Sequence, residues 1–89
     1  MTSKRNEYEP DYRVPPCETL REVMRERGLT PYKLASAAGL KVRAVRRLVA
    51  GNKAITPIIA KKLERATGVP GRFWFQLQRD YDRKAGDED

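Results

Sequence analysis

A chain of 89 residues, 39% hydrophobic and with a formal charge of +7, is the size of one small domain whose core only just suffices. It has no histidine and a single cysteine, Cys17, which excludes an internal disulfide and leaves a zinc site without a ligand set. No apolar run approaches a membrane span, and "MTSKRNEYEP" has nothing resembling a secretory signal, so the chain reads as cytoplasmic, with no metal, no cofactor and no membrane partner.

Residues 1–16 mix charges and polar groups with Pro10, Pro15 and Pro16, and offer almost nothing to bury. They are expected to form an extended or disordered arm. Its Lys4, Arg5 and Arg13 balance Glu7, Glu9 and Asp11, so it makes a poor basic DNA-binding arm; Tyr8 and Tyr12 could fold onto a partner. From there the apolar residues recur at helical spacing, and no alternating run of strand length appears.

The first helix is predicted from about Glu18 to Arg27, with Leu20, Val23 and Met24 inward and Gly28 as its stop. Thr30 followed by Pro31 is an N-cap with proline in the first helical position, opening a second helix that buries Leu34, Ala35 and Ala38 and ends at Gly39. A third helix covers Val42 to Ala50, with Gly51 placed where a left-handed residue is favoured. Thr56-Pro57 repeats the cap signal and opens a fourth, burying Ile59, Leu63 and Ala66 and stopping at Gly68. The fifth runs from about Gly71 to Arg83 around Phe73, Trp74, Leu77 and Tyr81, leaving 85–89, "AGDED", as an acidic tail. The reading is a compact all-α domain of five helices over residues 17–84.

Only "GLK" separates the second and third helices, so they must cross steeply, with a small residue where the backbones approach. Ala35 supplies that residue, Gly39 allows a positive φ in the turn, and Val45 packs back into the angle. Together these describe a helix-turn-helix. At about 100° per residue, Val45, Leu48 and Val49 share one side of the third helix. Arg43, Arg46, Arg47 and Ala50 share the other.

A solvated face would normally mix signs. Here the nine bases between Arg27 and Leu63 (Arg27, Lys33, Lys41, Arg43, Arg46, Arg47, Lys53, Lys61, Lys62) meet no acid, while the remainder holds 19 − 9 = 10 bases against 12 acids. Such segregation in the second element of a helix-turn-helix points to the DNA major groove.

The stretches "PPCETLREVMRERGLTPYKLASAAGL" and "AGNKAITPIIAKKLERATGVPGRFWFQLQRDYD" resemble the HigA-type antitoxins of the phage-repressor-like (XRE) helix-turn-helix family. The similarity covers residues 15 to 83, most diagnostically "AITP" and "FWFQLQRDYD". It implies a five-helix, lambda-repressor-like domain, a homodimer, repression of its own operon from double-stranded operator DNA, and neutralisation of an mRNA-cleaving toxin of the HigB/RelE type. Departures fall mainly around the reading helix. Pro15-Pro16-Cys17-Glu18 replaces the usual His-Pro-Gly-Glu, Lys41 and Val42 replace a common Ser and Arg or Gln, Ala50-Gly51 replaces Asn-Gly, and Ile58 replaces a Glu.

Carried over position by position, the resemblance assigns base reading to Val42, Arg43 and Arg47. Arginines can bind guanine O6 and N7 bidentately, whereas Val42 offers only apolar contact. It assigns backbone contact to Lys41, Arg46, Asn52 and Lys53, with Thr30 capping a helix whose amides can face a phosphate.

Ile58 with the outward edge of Phe73, Trp74 and Leu77 is the expected dimer contact, the aromatics being core and interface residues rather than base-stacking ones. Glu18, Glu22 and Glu26 form an i,i+4 acidic face that could attract a basic RNA-cleaving toxin, although Arg21 and Arg25 beside them favour a solvated, pair-laced face, and Cys17 reads as inert. With no phosphate loop and no catalytic constellation, an enzyme is not expected. Two rival readings remain: a free-standing regulator without a toxin, against which the fifth helix argues, and a toxin-binding protein without useful DNA affinity, against which the basic third helix argues.

Overall fold

A computed structural model describes residues 14–87, with side-chain surroundings through Arg83. Its five helices are α1 (Pro16–Arg27), α2 (Pro31–Ala38), α3 (Val42–Ala50), α4 (Pro57–Thr67) and α5 (Gly71–Asp87). Their order and number match the reading of the periodicity. The arm tyrosines Tyr8 and Tyr12, and residues 1–13 in general, lie outside the described residues.

Two boundaries differ from expectation. α1 begins at Pro16, two residues before Glu18, because a proline at the first helical position surrenders no hydrogen bond, and Pro16 itself is buried. The expected arm therefore does not extend through residue 16. α5 runs to Asp87, so residues 85–87 of the expected acidic tail continue the helix.

The caps fall where the sequence places them. Thr30 Oγ1 accepts the Lys33 amide at 3.1 Å, and Thr56 Oγ1 accepts the Ile59 amide at 3.2 Å. α1 closes with Gly28 at φ 65°, the Leu29 amide returning to the Met24 carbonyl at 2.8 Å.

The core joins Leu20 and Met24 of α1, Leu34 and Ala35 of α2, Val45 and Leu48 of α3, Ile59, Ala60 and Leu63 of α4, and Trp74 of α5. Ile55, in the loop before α4, is also buried; no helical period announced it. Trp74 is 0% exposed, which corrects its expected place in a dimer contact: the indole is spent in this core and has no edge to offer a second copy. Its Nε1–H has no acceptor, a desolvation cost of about 1–3 kcal/mol set against the area the ring buries.

α4 and α5 pack closely because Gly71 has no side chain. A Cβ there would stand 3.2 Å from both the Ala60 carbonyl oxygen and Glu64 Oε1. The Gly71 amide donates to that same Glu64 oxygen at 2.9 Å, so α4 caps the start of α5.

Further along α5, the buried Gln78 ties down the loop after α3. Its Oε1 accepts the Ile55 amide at 2.9 Å and its Nε2 donates to Asp82 Oδ1 at 2.9 Å. Gln78→Leu leaves the buried Ile55 amide without an acceptor, and should lower unfolding stability by about 1–3 kcal/mol in urea titrations. Amide exchange at Ile55 should accelerate in the same variant. Unchanged exchange there would show that Gln78 does not hold the loop.

Candidate nucleic-acid interface

The arrangement of α2 and α3 rests on three residues. Ala35 is buried where the helices meet, and its carbonyl accepts both the Gly39 amide at 2.9 Å and the Leu40 amide at 3.0 Å. Gly39 makes this possible by adopting φ 74°, a conformation costly for residues with a Cβ. Val45 is fully buried in the angle.

α3 is divided as its sequence requires: Val45 and Leu48 are buried, while Arg43, Arg46, Arg47 and Ala50 are exposed. Its far end is held from several directions. Gly51 at φ 84° lets its own amide reach the Leu48 carbonyl at 3.2 Å and the Asn52 amide reach the Arg47 carbonyl at 2.9 Å. From α1, the Arg21 guanidinium donates to the Val49 carbonyl, placing a cation at the negative end of the helix dipole. A Cβ on Gly51 would stand 3.2 Å from Cys17 Sγ, so the start of α1 and the end of α3 also touch.

Lys41, Arg43, Arg47 and Lys53 line one shallow hollow of about 320 Å³, and the structure adds Lys62 from α4. Two expected base readers and two expected phosphate contacts are thereby brought together. The contribution of Lys62 is invisible to any reading of α3 alone, because it depends on α4 packing against α2. Its only sequence signal was membership of the acid-free stretch.

The remaining candidates fall elsewhere. Val42 is half-buried against the core, which leaves part of its side chain for apolar contact. Asn52 is exposed on the loop beyond Gly51. Thr30 is occupied as the cap of α2. Arg46 stands outside the hollow, its guanidinium carbon 5.7 Å from the centroid of the Tyr32 ring, an aromatic partner that the charge pattern did not reveal. Among the apolar candidates, Ile58 is 67% and Phe73 43% exposed, while Leu77 is partly buried against the core.

The ion pairs described are Arg27 with Glu26 and Arg83 with Asp80, so none of those neutralises an α3 arginine. Cations gathered without carboxylates repel one another and gain most from a polyanion whose phosphates replace the missing acids. Among the described residues there is no cluster suited to a metal ion, and no helix long and apolar enough to cross a membrane. If the hollow follows a phosphate backbone, Lys62→Ala should weaken binding to operator and unrelated duplexes equally. It should also flatten log affinity against log salt by about 0.9 per protomer, measured by fluorescence anisotropy. An unchanged slope would place Lys62 off the DNA.

A helix-turn-helix family model matches residues 20–74 of the chain. Among solved structures, it is similar to the Pseudomonas aeruginosa antitoxin HigA with the higBA promoter, at 28% identity and TM-score 0.76, over 82% of this chain and 80% of that one. A second protein of that organism, in complex with 18 bp of its operator DNA, is 28% identical with TM-score 0.78 over 83% and 81% of the two chains. An addiction module antidote protein of the HigA family from Coxiella burnetii is 27% identical with TM-score 0.72 over 81% and 79%. None of the curated proteins matches.

Proposed function

The chain belongs to the helix-turn-helix family, and from that membership we propose that it is an antitoxin that binds operator DNA as a homodimer, represses its own operon and neutralises a HigB/RelE-like mRNA-cleaving toxin. The observation that carries the DNA half of this reading is the hollow in which Lys41, Arg43, Arg47, Lys53 and Lys62 converge on the exposed face of α3. The toxin half is supported by the likeness to HigA-family antitoxins over most of both chains.

In this reading Arg43 and Arg47, one helical turn apart, reach base edges, and Val42 adds apolar contact. Lys41, Arg46, Asn52, Lys53 and Lys62 meet the phosphates on either side, and the capped start of α2 at Thr30 abuts the backbone. Two copies must present α3 to successive major grooves, about 34 Å apart. Of the residues assigned to a two-fold contact, Ile58 and Phe73 are exposed and Leu77 is partly so, and Ile58 lines a hollow with Gly71, Arg72 and Phe75 of α5.

Arg43→Ala or Arg47→Ala should cost roughly 1–3 kcal/mol against the operator and less against unrelated DNA, while Lys53→Ala should weaken both equally. Competition between operator and scrambled duplexes reads the difference, and an unaltered specificity ratio in all three variants would reduce α3 to an electrostatic anchor. Ile58→Glu should shift the sedimentation equilibrium toward monomer. A toxin encoded beside the gene should co-purify with the chain and lose its RNA-cleaving activity when bound. Failure to find such a partner, with operator binding intact, would leave a free-standing regulator. The converse, toxin capture without DNA affinity, would leave a pure interaction protein.

A further inference from the structure

Arg46 differs from the other exposed bases of α3. Lys41, Arg43 and Arg47 at its start and middle share the hollow with Lys53 and Lys62, whereas Arg46 leans over the ring of Tyr32, the second residue of α2. Tyr32 is 65% exposed and takes no part in the core, so packing gives no reason for an aromatic residue there. We propose that Tyr32 is a positioning residue for DNA binding: its ring holds the Arg46 guanidinium beside the start of α2, where it grips a backbone phosphate. This rests on the reading of α3 as the DNA-facing helix.

The chemistry suits the two partners. A guanidinium is a planar cation that lies against the electron-rich face of an aromatic ring while its N–H donors remain in its own plane. A phosphate needs those in-plane donors, preferably two at once, so the ring contact and the phosphate contact do not compete. Without the ring, a long exposed side chain at position 46 would sample many rotamers and lose that freedom on binding. With it, the donors are aimed beforehand.

The place is also appropriate. In a helix-turn-helix the first helix crosses the DNA backbone, and the N-terminal turn of α2 carries the partial positive charge of its dipole. Arg46 thus adds a full charge from α3 to the end of α2 that faces a phosphate. Being drawn toward Tyr32 also keeps Arg46 out of the hollow occupied by Arg43 and Arg47.

The test uses the full chain with two duplexes: the region upstream of its own gene and an unrelated sequence of equal length. Arg46→Ala should weaken both and flatten the salt dependence by about 0.9 per protomer. Tyr32→Ala should weaken both by roughly two- to fivefold per protomer, the scale of an exposed cation–π contact, while lowering the melting temperature by no more than a few degrees. Tyr32→Phe, which keeps the ring, should bind as wild type does. The double variant Tyr32→Ala, Arg46→Ala should be no weaker than Arg46→Ala alone.

Additive losses, or a Tyr32→Ala variant indistinguishable from wild type, would overturn the proposal. So would a Tyr32→Phe variant as weak as Tyr32→Ala, since the hydroxyl and not the ring would then be responsible. An Arg46→Ala variant with wild-type affinity would also overturn it. Wild-type protein that binds neither duplex would instead overturn the DNA-binding reading on which the proposal stands.

Discussion

The close crossing of α2 and α3 at Ala35 governs the remainder of the molecule. A larger side chain there would push the two backbones apart, and without the positive φ of Gly39 the turn could not return two amides to the Ala35 carbonyl. Because that turn is so short, it strongly limits the directions α3 can take. Val45, locked in the angle, then decides which side of α3 faces in and leaves Arg43, Arg46 and Arg47 facing out.

A helix of nine residues gains little stability from its own hydrogen bonds and needs neighbours at its ends. Here the neighbours converge on its C-terminus. Arg21 from α1 serves the Val49 carbonyl, Cys17 packs against Gly51, and Gln78 from α5 fixes Ile55 in the following loop. The end of α3 and the loop that carries Asn52 and Lys53 are therefore braced from α1 and α5. Ordering these groups before DNA arrives reduces the conformational entropy lost on binding.

Electrostatics separate the two halves of the proposed activity. No carboxylate lines the positive hollow, so its cations repel one another and suit a polyanion. Two of the exposed large apolar residues, Ile58 and Phe73, sit on α4 and α5. Neither residue lines the positive hollow, so the proposed dimer contact and the proposed DNA contact use different residues.

The five helices, their caps, the helix-turn-helix and the acid-free face of α3 were legible in the amino-acid order alone. Each of these follows from neighbours within a few positions: Thr-Pro caps, glycine stops, apolar residues at helical spacing, and Ala35, Gly39 and Val45 at fixed offsets. The resemblance to HigA-type antitoxins rested on the same kind of local string. What depended on distant packing escaped. Phe73 and Trp74 are adjacent aromatic residues of α5, and only the packing of α5 against α1 and α4 enclosed one ring and left the other outside. Ile55 became core because Gln78, 23 positions later, satisfies its amide. Lys62 joined the hollow because α4 packs against α2, and Arg46 lies by Tyr32 because of how α3 crosses α2. Periodicity reports which side of a helix is apolar, but not what that side or its opposite will meet.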